Sequence, residues 1–211
     1  WNILGQIYVP NVNWMLLGAV IPWLKATSVL DVGAGTGRTL DWLKCQRPEL
    51  KAIGVEPVAE LRDIGYQKGI SREVLLPGDG SQLAFADGEF DLVCAFAVLH
   101  HVPRPNEVVK ELLRVAKRGV LISDSNNFGQ GSFLSRLFKQ SLHALGLWKA
   151  ADLIKTRGKG YTISKEDGLA YSYSVFDSVP VLRSGAKSLH FLNTRDAGGN
   201  PARGLRRSPV A

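Results

Sequence analysis

Short apolar runs alternate with helical segments through the first 123 residues, and this alternation limits the folds open to the chain. Runs rich in β-forming residues occupy 28–32, 52–55, 74–76, 90–96 and 119–123, and helical periodicity lies between them at 39–46, 58–68 and 106–117. Parallel strands need crossover connections that return over the sheet. The pattern therefore predicts an α/β fold with a Rossmann-like, doubly wound sheet, mostly parallel with a late antiparallel strand, and with helices on both faces.

The length of 211 residues suits one domain with flanking segments. We expect an N-terminal helix capping the ligand cleft in 1–27, the main domain in 28–194 with an insertion at about 126–168, and a disordered or truncated tail in 195–211. In the insertion, residues 126–131 are predicted to lead into a helix that carries Phe133, Leu134, Leu137, Phe138, Leu142 and Leu145. After this helix, the pattern predicts a loop at 158–167, strands at 169–176 and 188–193, and a poor helix at 178–186 interrupted by Pro180.

The charge balance favours contact with anions. Lys and Arg number 26 against 19 Asp and Glu, a net charge of +7, and the excess lies mostly at 136–159 and 195–207. Nucleic acid, an anionic lipid surface or a phosphate-bearing substrate would fit this charge, and a solvated face is the plain alternative. No apolar run reaches the roughly 20 residues of a membrane span, so no transmembrane segment is expected, while peripheral membrane contact stays open.

The cysteines and histidines do not predict a metal site or a disulfide framework. Cys45 and Cys94 lie far apart in regular apolar patterns, and the chain has only four histidines. We therefore expect no metal and a reducing, cytoplasmic location.

A glycine turn follows the first predicted strand. Asp31 ends an apolar run, Gly33, Gly35 and Gly37 follow at alternate positions, and a helix begins near Thr36. Glycines there permit unusual dihedrals and let a ligand approach the backbone, as a nucleotide cofactor requires. A dinucleotide fingerprint would place glycine where Arg38 stands, and no Gly-Lys-Ser/Thr of a P-loop follows. The Asp31 carboxylate would repel pyrophosphate but suits a cationic ligand.

The series Asp31-x-Gly33-x-Gly35-x-Gly37 resembles the first motif of the class I S-adenosylmethionine (SAM)-dependent methyltransferases. The resemblance extends to Glu56, to Asp79 and to 90–103, and it is strongest for the small-molecule branch called methyltransferase type 11. It implies SAM as cofactor, held by Asp31, Gly33, Ala34, Gly35, Gly37, Glu56, Pro57, Asp79, Gly80, Ser81, Ala95 and Phe96.

Each of these landmarks also has a local interpretation. Glu56 offers two oxygens to the ribose diol but would also be an ordinary strand-end acid, and the Asp79-Gly80 pair is typical of a turn. Asp91 is expected to orient the start of its strand. Of the pair His100-His101, we expect only one to face the cleft, and His101 is the candidate general base.

The sequence thus predicts an enzyme, a SAM-dependent methyltransferase acting on a small-molecule, glycan or lipid-precursor acceptor. The aromatic and basic residues outside the sheet would recognise this acceptor. Two alternatives stay open: a non-catalytic SAM-fold protein that binds a partner, and an RNA methyltransferase, although no nucleic-acid module accompanies the domain. Arg38 and Asp31 disfavour an NAD-linked oxidoreductase.

Overall fold

The computed structural model describes residues 12–129, 131–164 and 168–192. The first half contains α1 (Val12–Leu24), β1 (Ser28–Val32), α2 (Arg38–Gln46), β2 (Lys51–Glu56), α3 (Ala59–Gln67), β3 (Leu75–Pro77), β4 (Phe90–Phe96), α4 (Pro105–Val115) and β5 (Ala116–Ser123). The rest contains α5 (Phe133–Ala144), α6 (Trp148–Lys155), β6 (Tyr161–Ser164), β7 (Gly168–Tyr171) and α7 (Val179–Gly185).

The main sheet has five parallel strands in the order β3-β2-β1-β4-β5. The chain first builds outward from β1 to β2 and β3, and then crosses to the other side of β1 to form β4 and β5. This reversal creates a switch point between the carboxyl ends of β1 and β4, where open sheets of this kind bind ligands. The predicted fold class is confirmed.

The antiparallel pairing lies outside the main sheet. β6 and β7 form a separate two-stranded ribbon in which Tyr161 pairs with Tyr171 and Ser164 with Gly168. The prediction of a loop at 158–167 was therefore wrong for 161–164, because the positive φ of Gly158 and Gly160 makes a turn that leads into β-forming residues.

The predicted strand at 188–193 does not form over its described part, 188–192. Side-chain contacts hold this segment instead, since the ring of Phe191 stacks on that of Phe176 with centroids 5.5 Å apart. Pro180 lies in the first turn of α7, where its missing N–H costs nothing, so it does not interrupt the helix as predicted.

Both faces of the sheet are covered. On one face α4 buries Val108, Val109 and Leu112 against the strands, and on the other α1 buries Leu17 and Ile21. Burial on both faces explains why the strands read as continuous apolar runs. α1 packs on β4 and β5 across this second face of the sheet. Its capping of the cleft stays a prediction.

Some expectations fall beyond the described residues, namely the tail at 195–211 and the first part of the 1–27 segment. Within the described ranges, no helix combines the length and apolar character needed to cross a bilayer. The same ranges contain no group of three His, Cys, Asp or Glu side chains placed to hold a metal ion.

Asp91 anchors the start of β4, as the sequence predicts. Its Oδ2 accepts hydrogen bonds of 2.8 Å from both the N–H and the hydroxyl of Thr27, and its Oδ1 accepts one of 2.8 Å from Nε of Arg118. The Thr27 amide, the Thr27 hydroxyl and the Arg118 guanidinium lower the pKa of Asp91 to about 2 against the opposing effect of burial. The carboxylate therefore ties the segment before β1 to both β4 and β5.

We expect Asp91→Asn to lower the free energy of unfolding by about 2 kcal/mol at pH 7, because it weakens hydrogen bonds to a charged group. The folded-state pKa is depressed, so the stability that Asp91 supplies is present above about pH 4 and is lost as the pH falls towards about 2. Urea unfolding of both proteins across this range measures the difference. The exposed Asp63→Asn is the control and should change stability by less than about 0.5 kcal/mol. A deficit that stays constant down to pH 2 would contradict the assignment.

Candidate functional site

The glycine turn lies at the carboxyl end of β1, beside the switch point. The N–H groups of Gly33 and Ala34 donate to the carbonyl of Val55 at 2.8 and 3.0 Å, and Gly33, Gly35 and Gly37 have φ values of 73°, 57° and 77°. A Cβ at Gly33 would clash with Val98, so the turn packs directly against the segment that follows β4. A Cβ at Gly35, in contrast, would meet no heavy atom within 4 Å. The backbone is thus bare and open at the centre of the turn.

Glu56 joins the end of β2 to this turn. Its buried carboxylate accepts a 2.9 Å hydrogen bond from the N–H of Gly35 through Oε2 and another of 2.9 Å from the N–H of Val58 through Oε1. The guanidinium of Arg62 donates to the carbonyl oxygens of Glu56 and Pro57 at 2.6 and 2.8 Å. The structure therefore brings together Glu56, Pro57 and the glycine turn, and it orients the carboxylate through two backbone donors.

Asp31 supplies a buried negative charge beneath the turn. Its pKa is raised to about 6, mainly by burial and also by the nearby Glu56 carboxylate, against hydrogen bonds from Cys94 and Thr39. Burial and the negative charge of Asp31 raise the pKa of the Cys94 thiol, so the thiol donates to Oδ1 of Asp31 at 3.5 Å. Asp31 is thus ionised at neutral pH in a site of low polarity, where it favours a cationic ligand over an anionic one.

The loop after β3 reaches the same edge of the sheet. Oδ1 of the exposed Asp79 accepts hydrogen bonds of 2.8 and 2.9 Å from the N–H and hydroxyl of Ser81, which confirms its role as a turn former. A Cβ on Gly80 would lie 2.9 Å from Cγ1 of Val32, so this loop packs against the end of β1. The contact between Asp79 and adenine stays a prediction.

The cofactor contacts of Ala95 and Phe96 at the end of β4 stay a prediction. The side chain of Ala95 is fully buried in the main core, whereas Phe96 is half-buried and packs with the cluster on the α1 face. Ala97 follows with a φ of 58°, and its N–H donates to the carbonyl of Ser123 at 2.8 Å. This bend directs Val98 towards the glycine turn.

Sequence reasoning missed Asp124, which organises the other side of the switch point. Oδ2 of this buried carboxylate accepts hydrogen bonds from the N–H groups of Val98 and Leu99 at 2.8 and 2.7 Å, and Oδ1 lies 2.7 Å from Nδ1 of His100. An acidic residue directly after a predicted strand was the available signal. His100 is therefore a buried, hydrogen-bonded residue, as expected for one member of the pair.

His101 contacts the hairpin of the insertion. Its Nδ1 lies 2.7 Å from the carbonyl oxygen of Leu169 in β7. Because a carbonyl only accepts, Nδ1 carries the proton, and in the neutral ring Nε2 is then the acceptor nitrogen. This is the tautomer that a general base acting through Nε2 requires.

A cavity of about 220 Å³ opens between the ends of β4 and β5 and the insertion. Its lining includes His100, Ser125, Asp152, Lys155, Tyr161 and Tyr171. We predicted that aromatic and basic residues outside the sheet recognise the acceptor, and residues of this kind from the insertion line the cavity. It is lined by His100, the histidine that the sequence did not favour.

A second missed feature is a buried polar network under this cavity. The hydroxyl of Ser174 donates to Oδ1 of Asn126 at 3.1 Å, and Ser178 lies 2.9 Å from both the Tyr173 hydroxyl and Oδ1 of Asn106. Ser174 and Asp177 also form a reciprocal capping box, which the spacing Ser-x-x-Asp signals in the sequence. The network fixes the chain after β7 to the sheet.

Comparison with known proteins places this architecture in a class. A family model described as a methyltransferase domain matches residues 30–123. A SAM-dependent methyltransferase from Methanosarcina mazei superposes with a TM-score of 0.52 at 19% identity, covering 74% of this chain and 77% of that one, which shows a shared fold. Residues 30–123 therefore match a methyltransferase domain, the fold is that of a SAM-dependent methyltransferase, and SAM is the expected cofactor.

Curated relatives match about half of the chain. A phosphatidylethanolamine N-methyltransferase from Cereibacter sphaeroides is 30% identical over 118 residues, 48% of this chain and 51% of that protein. A demethylmenaquinone methyltransferase from Staphylococcus aureus is 34% identical over 104 residues, 46% of this chain and 42% of that protein. The chain spans about half the length of these relatives.

The open centre of the glycine turn generates a test. We expect Gly35→Ala to weaken binding of S-adenosylhomocysteine at least tenfold, because the new methyl group would enter the open space above the turn. The left-handed backbone should cost about 1 kcal/mol of stability. Gly69→Ala is the matched control, since Gly69 also has a positive φ, 91°, and nothing within 4 Å of its Cβ position. Calorimetric titration and urea unfolding of both variants separate the effects, and equal affinities would contradict the assignment.

Proposed function

We propose that this protein transfers a methyl group from SAM to a small-molecule, glycan or lipid-precursor acceptor. The observation that carries the proposal is the glycine turn at the switch point, open at Gly35 and joined through the N–H of that residue to the buried carboxylate of Glu56. This arrangement supplies a bare backbone, a fixed carboxylate and a negative local charge in one place.

The residues present fit SAM in its charge and in its shape. The open space above Gly35 admits a ligand against the backbone, while the Asp31 and Glu56 carboxylates favour its cationic part and its ribose hydroxyls. The predicted contacts of Pro57, Asp79, Gly80, Ser81 and Phe96 complete the proposed binding set.

When bound, SAM supplies a methyl group on a positively charged sulfur. The chain's own residues bind the cofactor, orient the acceptor for in-line attack and exclude water. Positioning of this kind alone lowers a barrier by several kcal/mol, so an obligatory base is not required for every acceptor.

The acceptor site that we propose is the cavity between the insertion and the ends of β4 and β5. Lys155 and Asp152 give it one charge of each sign, and Tyr161 and Tyr171 give it aromatic surface. The two curated relatives carry a phospholipid and a quinone in their names, which supports an acceptor of lipid type. The glycan and other small-molecule acceptors stay alternatives.

His101 does not itself line this cavity, but its ring centroid lies 3.9 Å from that of His100, and it stays the proposed general base for a hydroxyl acceptor. The hydrogen bond from its Nδ1 to Leu169 leaves Nε2 as the acceptor nitrogen of the neutral ring. An amine or ring-carbon acceptor would not need this base.

We expect His101→Gln to reduce kcat about 100-fold or more with a hydroxyl acceptor, since the proton would lose its acceptor. The affinity of the His101→Gln variant for S-adenosylhomocysteine should not change. Transfer from labelled SAM to the acceptor found in a substrate screen measures kcat, and the exposed His190→Gln is the control. An unchanged pH profile and kcat with a hydroxyl acceptor would remove His101 from the mechanism.

The cofactor assignment is tested first with the full chain. We expect saturable calorimetric binding of S-adenosylhomocysteine and none of NADH. Glu56→Gln should weaken this binding about 10- to 100-fold, because one amide oxygen cannot replace a carboxylate that accepts from two backbone donors and a diol. Glu60→Gln, in the exposed first turn of α3, is the matched control and should bind as the original chain does.

The outcomes also separate the alternative functions. Absence of S-adenosylhomocysteine binding by a folded chain would favour the non-catalytic, partner-binding alternative. Methyl transfer to RNA but not to small molecules or lipids would favour the RNA methyltransferase. The cytoplasmic location stays a prediction.

A further inference from the structure

Helix α5 turns its polar side towards the domain and its apolar side towards solvent. On the inner side, Nζ of Lys139 donates to the carbonyl of Asn127 at 2.8 Å, and Nε2 of His143 lies 3.3 Å from Oδ1 of Asp177. The outer side carries Phe133, Leu134, Leu137 and Phe138, which are between 52% and 73% exposed. An amphipathic helix of a globular domain normally has the opposite orientation.

The exposed apolar surface continues beyond α5. Leu145 and Leu147 extend it into the connection to α6, Ile154 on α6 is 80% exposed, and Ile163 on β6 is 72% exposed. α5 and α6 pack against each other. We call the exposed surface of α5, α6 and β6 the insertion face. Exposed apolar surface on this scale marks a site of interaction.

The same segment accounts for most of the net positive charge of the protein. Residues 131–164 contain six basic side chains and the single acid Asp152, a net charge of +5 out of +7 for the whole chain. Lys149, Lys155, Arg157 and Lys159 are exposed. Apolar and basic residues together are the composition of surfaces that lie at a membrane interface.

A second cavity links this charge to the proposed acceptor site. It is open, has a volume of about 330 Å³ and is lined by Lys155, Arg157, Lys159, Tyr161 and Ile163 among others. Lys155 and Tyr161 also line the acceptor cavity. A basic, open cavity suits an anionic headgroup, and its shared wall leads towards the ends of β4 and β5.

We infer that the insertion face docks on the surface of an anionic lipid bilayer, with its apolar side chains among the acyl chains and its basic residues at the headgroups. The inference rests on the proposed function only in that it names the bilayer as the source of a lipid-type acceptor. The inward contacts of Lys139 and His143 hold the apolar stripe of α5 outward for this purpose.

The charge and chemistry of the face favour a bilayer over other occupants. A second copy would bring a net charge of +5 against +5, which opposes association. RNA binding uses aromatic stacking platforms, whereas the exposed apolar side chains of the face are mainly leucine and isoleucine. Anionic lipid complements both the charge and the aliphatic surface.

The test is flotation of the full chain with vesicles of phosphatidylcholine alone and of phosphatidylcholine with about 30% phosphatidylglycerol. We expect binding to the anionic vesicles that weakens at high salt, and little binding to the neutral ones. Equal distribution in the lipid-free and vesicle-containing gradients would overturn the inference.

Two pairs of variants test the apolar stripe and the basic residues of the insertion face. Leu134→Glu with Phe138→Glu should reduce vesicle binding at least tenfold, whereas Ile64→Glu on α3, which also replaces an exposed apolar residue, should not. Arg157→Gln with Lys159→Gln should reduce vesicle binding about 30-fold, since each lost cation costs about fivefold. The control pair Lys110→Gln with Lys117→Gln, which is also exposed, should reduce vesicle binding less. Circular dichroism verifies the fold of each variant.

Other outcomes would identify a different occupant. Undiminished vesicle binding by both insertion-face variants would overturn the inference, as would a dimer in light scattering that Leu134→Glu with Phe138→Glu converts to monomer. Binding of single-stranded RNA without vesicle binding would also overturn it. Vesicle binding needs no cofactor, so its failure with intact S-adenosylhomocysteine binding refutes this inference alone. The reverse result refutes the proposed function alone.

Discussion

Two buried carboxylates, one on each side of the switch point, hold the loops that form the site. Glu56 at the end of β2 accepts the N–H of Gly35 from the turn after β1, and Asp124 just after β5 accepts the N–H groups of Val98 and Leu99 from the segment after β4. In each case the hydrogen-bond acceptor follows or ends one strand, β2 or β5, and the donors lie in the loop after the neighbouring strand, β1 or β4. Because buried backbone donors must be satisfied, these bonds fix both loops at the one edge where a ligand meets the sheet. The proposed cofactor side and the proposed acceptor side thus depend on the same kind of interaction.

The sheet and the glycine turn beside the switch point were predictable from the sequence for identifiable reasons. The strands carry runs of Val, Leu and Ile buried on both faces, and the glycine turn needs residues that accept a positive φ, so both leave a local signature. Asp124 leaves only its place as an acidic residue directly after a strand, because its partners Val98, Leu99 and His100 lie 24 to 26 residues away along the chain. The strand at Tyr161–Ser164 was missed for another reason. Its flanking glycines and lysines indicate a loop, and only the pairing with β7 reveals the strand.

Helix α5 has an orientation that hydrophobic periodicity in the sequence could not predict. Periodicity identifies the helix and its apolar stripe but assumes that the stripe faces the core. The structure places it on the opposite side, because Lys139 and His143 find acceptors at Asn127 and Asp177. The orientation is decided by polar contacts with distant residues, which no window of the sequence contains. The exposure of the stripe, and its position beside the basic residues of 131–164 and the two cavities, are therefore visible only in three dimensions.

The hydrogen bonds of the glycine turn limit how this domain could be redesigned. The N–H groups of Gly33 and Ala34 are directed to Val55, that of Gly35 to Glu56, and that of Gly37 to Ala34. A pyrophosphate arriving at the turn would find these four donors already engaged within the protein, and a carboxylate beside them. Replacing Arg38 with glycine would complete a dinucleotide-type spacing but would release none of these donors. Conversion to a dinucleotide-binding site would require rebuilding the end of β2, so the choice of cofactor is set as much by the neighbouring strand as by the glycines themselves.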